Sequence, residues 1–252
     1  MVISRRSGFP RFSLRRLART RSTQDVVRRA AIAGAPEGFC CVADEQLAGR
    51  GRQGRAWSAP AGSSLLASLL LRRPPSLAAG VPFAAGIALV DAIGELSGAE
   101  VRVKWPNDVL AGGRKLAGIL CEVEPAASTS GELAIVVGIG VNLRVPAFPP
   151  GVAGASLHEL APPPEALDLL DAWLDLLAPL LTTLEAGGIA GLRDAWLDRA
   201  VGIGSPVRAE GPSGEVSGVA LDLDDDGALV VGTETGPVRV LAGDVHLTTP
   251  EP

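Results

Sequence analysis

KWPNDVLAGGRKLAGIL, residues 104–120, holds both lysines of a 252-residue chain, Lys104 and Lys115. Arginine takes every other Lys/Arg position. Of the two asparagines, Asn107 lies in this stretch and Asn142 follows downstream. The bias toward Arg, Ala, Gly and Pro is a whole-chain habit, so each surviving Lys or Asn needs a reason. Lysine offers a compact, strongly hydrated ammonium that arginine cannot imitate. Asparagine puts a donor and an acceptor on one short arm. Residues 104–142 are therefore the expected chemical centre. The same stretch sets the local fold. Val101 to Trp105 reads as a strand that Pro106 stops. Val109–Leu110 and Lys115–Val123 read as a hairpin turned by Gly112-Gly113.

Working outward, residues 24–33 fit a short amphipathic helix with Ser22 or Thr23 as its N-cap. Phe39–Ala43, the apolar run Ser64–Leu71 and Leu133–Leu143 read as strands. Residues 80–97 fit a core helix, and 165–186 and 188–199 two more. The segment 144–164 is Pro-rich and is expected to wander over the surface. After Gly202, short β runs are split by Gly, Pro and Asp turns, which suggests a barrel of about five strands. The fold class is α+β, a mixed sheet with helices followed by a small C-terminal barrel. The expected units are an Arg-rich flexible arm at 1–13, a main domain at 14–201 and the barrel at 202–252.

Bulk properties narrow the function. Hydrophobic residues make up 47% of the chain and mean hydropathy is +0.28, which suits a packed core. A net charge of -5 and pI near 5.2 argue against a general nucleic-acid binder. Seven arginines precede the first acid, Asp25, which suggests a solvated arm, with a transit peptide as the rival. Ser4-Arg5-Arg6 has a twin-arginine look, but no apolar region follows it. No apolar run approaches the ~20 residues of a membrane span, and the expected location is cytoplasmic. Cys40, Cys41 and Cys121 match neither a disulfide framework nor metal spacing. His158 and His246 stand alone, so a protein-built zinc site is not expected.

Four short segments carry chemistry. GRGRQGR (49–55) interleaves three glycines with three arginines. Glycine admits close backbone approach, and arginine supplies forked donors suited to phosphate. Gly49, Gly51 and Gly54 also spell G-x-G-x-x-G, but Trp57, Pro60 and Gly62 oppose the helix that a dinucleotide fold needs there. Taken alone, the stretch is equally an exposed basic loop. KWPND joins a cation, an indole, an amide and a carboxylate at a strand end, or is simply a capped turn around Asp108. GRKLAGIL sets Lys115 at a strand start, where it could be an ordinary edge charge. GIGVN (138–142) permits close approach beside Asn142, or packs two glycines in a strand.

In this order, GRGRQGR, KWPND, GRKLAGI and GIGVN resemble the biotin–protein ligases, which attach biotin to carboxylases. The likeness runs from Ser22-Thr23 into the C-terminal barrel, which resembles the SH3-like domain that ends bacterial members. The ligase-like core begins almost at once, with no room for a DNA-reading helix-turn-helix. The resemblance is therefore to the monofunctional type, and specific DNA binding is not expected.

The resemblance implies roles. Ser22 and Thr23 touch the biotin ureido ring, though Gln24 stands where the family often has Asn. Gln46, Gly49, Arg50, Arg52, Lys115 and Gly138 complete the biotin site. Arg52, Arg55, Trp57, Asn107, Lys115 and Asn142 serve ATP. Lys115, Arg50, Arg52 and Asp108 carry the chemistry. ATP is joined by Mg²⁺ held mainly by phosphates, with Asp108 a candidate ligand. The acceptor is a lysine of a biotin carboxyl carrier domain, and the resemblance leaves room for a homodimer. The competing functions are a lipoate or octanoate ligase or transferase of the same superfamily, a non-catalytic binding module, and a nucleic-acid regulator using the Arg-rich head.

Overall fold

A computed structural model describes residues 2–3, 12–129, 131–211, 214–241 and 244–247. In chain order its first elements are β1 (Val2–Ile3), β2 (Ser13–Thr20), α1 (Thr23–Ile32), β3 (Phe39–Gln46), β4 (Gly49–Arg50) and β5 (Ala56–Trp57). β6 (Ser64–Arg73), α2 (Val81–Ser97), β7 (Arg102–Lys104), β8 (Asp108–Ala111), β9 (Arg114–Glu124) and β10 (Leu133–Asn142) follow. Then come α3 (Ala166–Gly187) and α4 (Ala190–Arg199). The chain closes with β11 (Pro206–Gly211), β12 (Gly214–Leu223), β13 (Leu229–Thr233), β14 (Gly236–Val240) and β15 (Asp244–Leu247).

The main sheet runs β1-β2-β3-β6-β10-β9-β8-β7. It is mixed, because β2 and β3 are parallel while the other neighbours are antiparallel. A parallel pair needs a crossover, and α1 supplies it. Side chains alternate between the two faces of a strand. On one face Cys41, Leu70, Ala134 and Val136 pack beneath Val26, Val27 and Ala31 of α1. On the other, Cys40, Leu69, Ile135 and Val137 join the larger core with α2 and α3. Burial pushes the Cys41 thiol up to about 11 and the Cys121 thiol up to about 12. This fits cysteines that behave as small apolar side chains.

β2 went unread in the sequence because SLRRLART places arginines where apolar side chains would signal a strand. Arg16 and Arg19 are exposed and pair with Asp44 and Glu45 of β3 at 3.2 and 2.6 Å. The arm expected over 1–13 is attached at both described ends: Val2–Ile3 pair with β2, and Phe12 is buried. Residues 4–11 lie outside the described residues. The β8–β9 hairpin turns where expected, with positive φ at Gly112 (53°) and Gly113 (77°). That is the backbone a two-residue hairpin turn asks of glycine.

Contrary to the expectation that no apolar run approaches a membrane span, α2 and the turn before it, Pro75–Ser97, are long and apolar enough to cross a membrane by length and composition. Here the helix is a core element, wedged between the sheet and α3 and buried along most of its length. Trp173 of α3 donates to Ala85 O at 3.1 Å.

The last five strands form an antiparallel sheet in the order β14-β13-β12-β11-β15. Val207, Ala209, Leu229 and Val231 join the same hydrophobic cluster as α2 and α3. Gly227, at φ +85°, sits against Phe83, and a Cβ there would lie 2.6 Å from the ring. The Gly227 carbonyl accepts from Trp105 Nε1 at 3.0 Å, and Arg193 pairs with Asp222.

Candidate active site

The period of two that builds the core also clears a floor. In β10, Ile135, Val137, Ile139 and Val141 face the α2–α3 core, so Gly138 and Gly140 fall on the opposite face beyond the end of α1. They are paired with Leu120 and Gly118 of β9. A cleft of about 570 Å³ opens over these glycines. Its lining comes from residues 22–58, 67–68, 107–120 and 138–154, and no described barrel residue contributes.

One end of the cleft is neutral and polar. Gln46 Oε1 accepts from Thr23 N (2.7 Å) and Thr23 Oγ1 (3.0 Å), while Thr23 Oγ1 lies 2.8 Å from Ser68 Oγ. Ser22 is the N-cap of α1, yet its Oγ caps nothing and is buried without a partner. Gln24 Oε1 is likewise buried and unpartnered, and lies 3.0 Å from where a Gly138 Cβ would stand. A buried polar atom left unpaired costs about 1–3 kcal/mol, which a ligand with matching groups would offset.

The other end is cationic. Lys115 Nζ lies 2.6 Å from Asp108 Oδ1 and 5.8 Å from the centre of the Trp57 ring. That ring packs against the glycine floor. A Cβ at Gly140 would stand 2.6 Å from it and one at Gly118 3.2 Å. Arg52 donates to Asn107 Oδ1 at 3.0 Å, and Asn107 Nδ2 donates to Ile119 O at 2.7 Å. Asn142 Nδ2 donates to Ala155 O at 3.1 Å, tying the end of β10 to the segment after it.

The Gly/Arg stretch carries a definite shape. β4 and β5 form a small ribbon around a single turn at Arg52–Gly54, where Gln53 adopts φ 56°. Of the site residues expected from sequence, all line the cleft except Gly49. Gly49 sits behind it, and a Cβ there would meet Trp57 O at 2.4 Å. The close packing of the ribbon by itself requires a glycine there. Arg50, expected to face phosphate, is turned instead to Asp25 (2.8 Å) and Glu122 (3.3 Å).

Similarity to known proteins follows the same lines. The profile of the Biotin/lipoate A/B protein ligase family matches residues 17–142, and that of the Biotin protein ligase C terminal domain matches 202–247. A biotin–(acetyl-CoA-carboxylase) ligase of Paracoccus denitrificans is 39% identical over 248 residues, covering 91% of this chain and 98% of the relative. The chain belongs to the biotin–protein ligase family. A second such ligase, from Mycobacterium tuberculosis, is 38% identical over 255 residues, covering 92% and 88%. The biotin protein ligase of Aquifex aeolicus, solved with biotin and ATP, superposes with a TM-score of 0.80 at 25% identity, covering 93% of this chain and 99% of that one.

Within this ligase-family fold, several cleft residues carried no clear mark in the sequence. Ser68 is one hydroxyl inside an apolar strand. Residues 144–164, expected on the surface, instead send Phe148 and Val152 to the cleft mouth. This segment is pinned along Lys115 by Lys115 N to Ala153 O (2.9 Å) and Ala155 N to Lys115 O (2.8 Å). The lone Phe within a Pro/Gly run was the available signal. Glu122, behind the cleft wall, gave none.

Proposed function

We propose that the chain activates biotin with ATP and transfers it to a lysine of a biotin carboxyl carrier domain. The observation that carries this reading is the polarity of the cleft. Buried, unpartnered Ser22 Oγ and Gln24 Oε1 stand at one end, and Lys115 and Arg52 at the other. A neutral ring with N–H and C=O groups suits the first end, and a carboxylate beside a polyphosphate suits the second. The names of the relatives and the biotin and ATP bound to the Aquifex protein support the same assignment.

In this reading the biotin carboxylate oxygen attacks the ATP α-phosphorus. The bond to the bridging oxygen breaks, and pyrophosphate leaves. The two reactants are both anions, so fixed cations must hold them together and stabilise the charge that builds in the transition state. Lys115 takes that part, with Asp108 holding the ammonium in place at 2.6 Å. Arg52 and Arg55 line the phosphate path, and the Trp57 ring offers the adenine a flat surface. Asn107 and Asn142 hold the edges of this half of the cleft. The mixed anhydride is labile in water, and the 49–57 ribbon together with Phe148 and Val152 covers it. The carrier lysine amine then attacks the acyl carbon, AMP leaves, and the amide forms.

Mg²⁺ would come to this site as the counter-ion of ATP. Among the described residues no three His, Cys, Asp or Glu side chains converge to hold it, and Asp108 is already engaged by Lys115. The net charge of -5 supports a partner set without specific DNA. The test is pyrophosphate release from ATP with biotin, and with lipoate as control. Release with biotin and little with lipoate is expected; equal release with both would overturn the assignment.

A further inference from the structure

The Gln24 side chain has two ends in different surroundings. Its Nε2 lies 3.1 Å from Glu122 Oε2, 3.3 Å from Leu120 O and 3.3 Å from Val136 O. Three acceptors at one end fix that end as the NH₂ group, since an amide oxygen there would face only other lone pairs. The oxygen is therefore turned over the Gly138 floor, where it is buried and accepts nothing. Two of the three acceptors are neutral backbone carbonyls. The Glu122 carboxylate is the ionised one, and a hydrogen bond to an ionised group is roughly twice as strong. Glu122 itself does not line the cleft.

We propose that Glu122 is a specificity-determining positioning residue. Its carboxylate locks the Gln24 amide with the oxygen toward the cleft, so that the site demands an N–H donor from the ligand ring. This rests on the reading of the cleft as a biotin site. The cyclic urea of biotin carries two N–H donors, whereas the dithiolane of lipoate carries none. A site built to hydrogen-bond an N–H rejects a ligand without it far more strongly than a greasy pocket can. The Gln24 amide stands at the end of a flexible side chain, and such an anchor fixes which way it faces. The same carboxylate holds Arg50 Nη2 at 3.3 Å, and Asp25 holds Arg50 Nη1 at 2.8 Å. Any test must therefore separate the amide from the arginine.

The experiment is calorimetric titration of the full chain with biotin and with its two mono-N-methylated analogues, each lacking one ring N–H. Glu122→Gln should weaken biotin about 10-fold, because an ionised acceptor is lost and a competing NH₂ is introduced. It should also shrink, by a similar factor, the preference for biotin over one of the two analogues. Asp25→Asn loosens Arg50 but leaves the partners of Gln24 alone, and should keep that preference. Should Glu122→Gln not fold, Glu122→Asp, with the carboxylate withdrawn by one methylene, should show the same narrowing. Unchanged biotin affinity, equal weakening of all three ligands, or an Asp25→Asn variant that matches Glu122→Gln would each overturn the proposal. Failure of the wild-type chain to bind biotin would instead sink the reading of the cleft, and is seen before any variant is compared.

Discussion

Gly140→Ala isolates the contact between the Trp57 ring and the sheet floor. Gly140 lies in a strand without positive φ, so alanine fits its backbone. The new methyl would stand 2.6, 2.8 and 2.9 Å from Trp57 Cε2, Cζ2 and Nε1. Ordinary van der Waals contact begins at 3.4 Å, so the ring must rise by 3.4 minus 2.6, about 0.8 Å. Misplacement near 1 Å costs up to about 10²-fold in rate, so a loss of roughly 10- to 100-fold in kcat/KM for ATP is expected. The assay is pyrophosphate release at saturating biotin with ATP varied. Biotin binding without ATP should change much less, because the proposed seat of the biotin ring is over Gly138 rather than Gly140. A double-mutant cycle sharpens the test. In a Trp57→Ala background the methyl has no ring to strike, and Gly140→Ala should cost little more. An unchanged KM for ATP in the single variant, or an undiminished cost in the double variant, would refute this account of the floor.

Other outcomes follow from the same geometry. Lys115→Ala should lower adenylate formation roughly 10²- to 10³-fold while leaving the melting temperature near wild type; Lys115→Arg should fail as well, since the forked guanidinium replaces a compact ammonium, and single-turnover measurements check both. Arg52→Ala breaks the tie to Asn107 Oδ1 and should make residues 49–55 easier to cut with protease and release more biotinyl-adenylate, read by cutting with and without biotin plus ATP. The hydrogen bond from Arg193 holds the Asp222 carboxyl below its usual range. A depressed carboxylate contributes stability above its unfolded pKa of ~3.9 and loses it as pH falls through the folded value. Acid melts between pH 5 and pH 2, on the order of that window, should therefore be flatter in Asp222→Asn than in wild type.

Much of the layout was legible because burial leaves periodic marks. The alternation of Ile135, Val137, Ile139 and Val141 with two glycines and an asparagine tells the core face of β10 from the ligand face. Gly112-Gly113 announces its hairpin, and the rarity of lysine and asparagine points to one of the segments that line the cleft, though not to residues 22–58. Other features left no local trace. β2 was hidden because its outward arginines find carboxylates on β3, a pairing written in no single segment. The path of 144–155 is set by backbone hydrogen bonds to Lys115, which any sequence can make. Gly49 sits in the motif yet packs against Trp57 O, since a glycine needed by a ribbon looks like one needed by a ligand. Glu122 reaches Gln24 and Arg50 from positions 98 and 72 residues away, and only the folded sheet brings them together.

The seat of the C-terminal sheet limits how this protein can be rearranged. Gly227 receives the Phe83 ring on one side and the Trp105 indole on the other, and Trp105 belongs to the turn that presents Asn107 and Asp108. The last fifty residues are thus no interchangeable cassette. A graft from a relative would bring its own hairpin to Trp105, and would tilt the Asn107–Asp108 side of the cleft unless Phe83 and Trp105 were exchanged with it. Chimaeras that carry the whole set across should keep their ATP affinity, and those that carry only residues 203–252 should lose it.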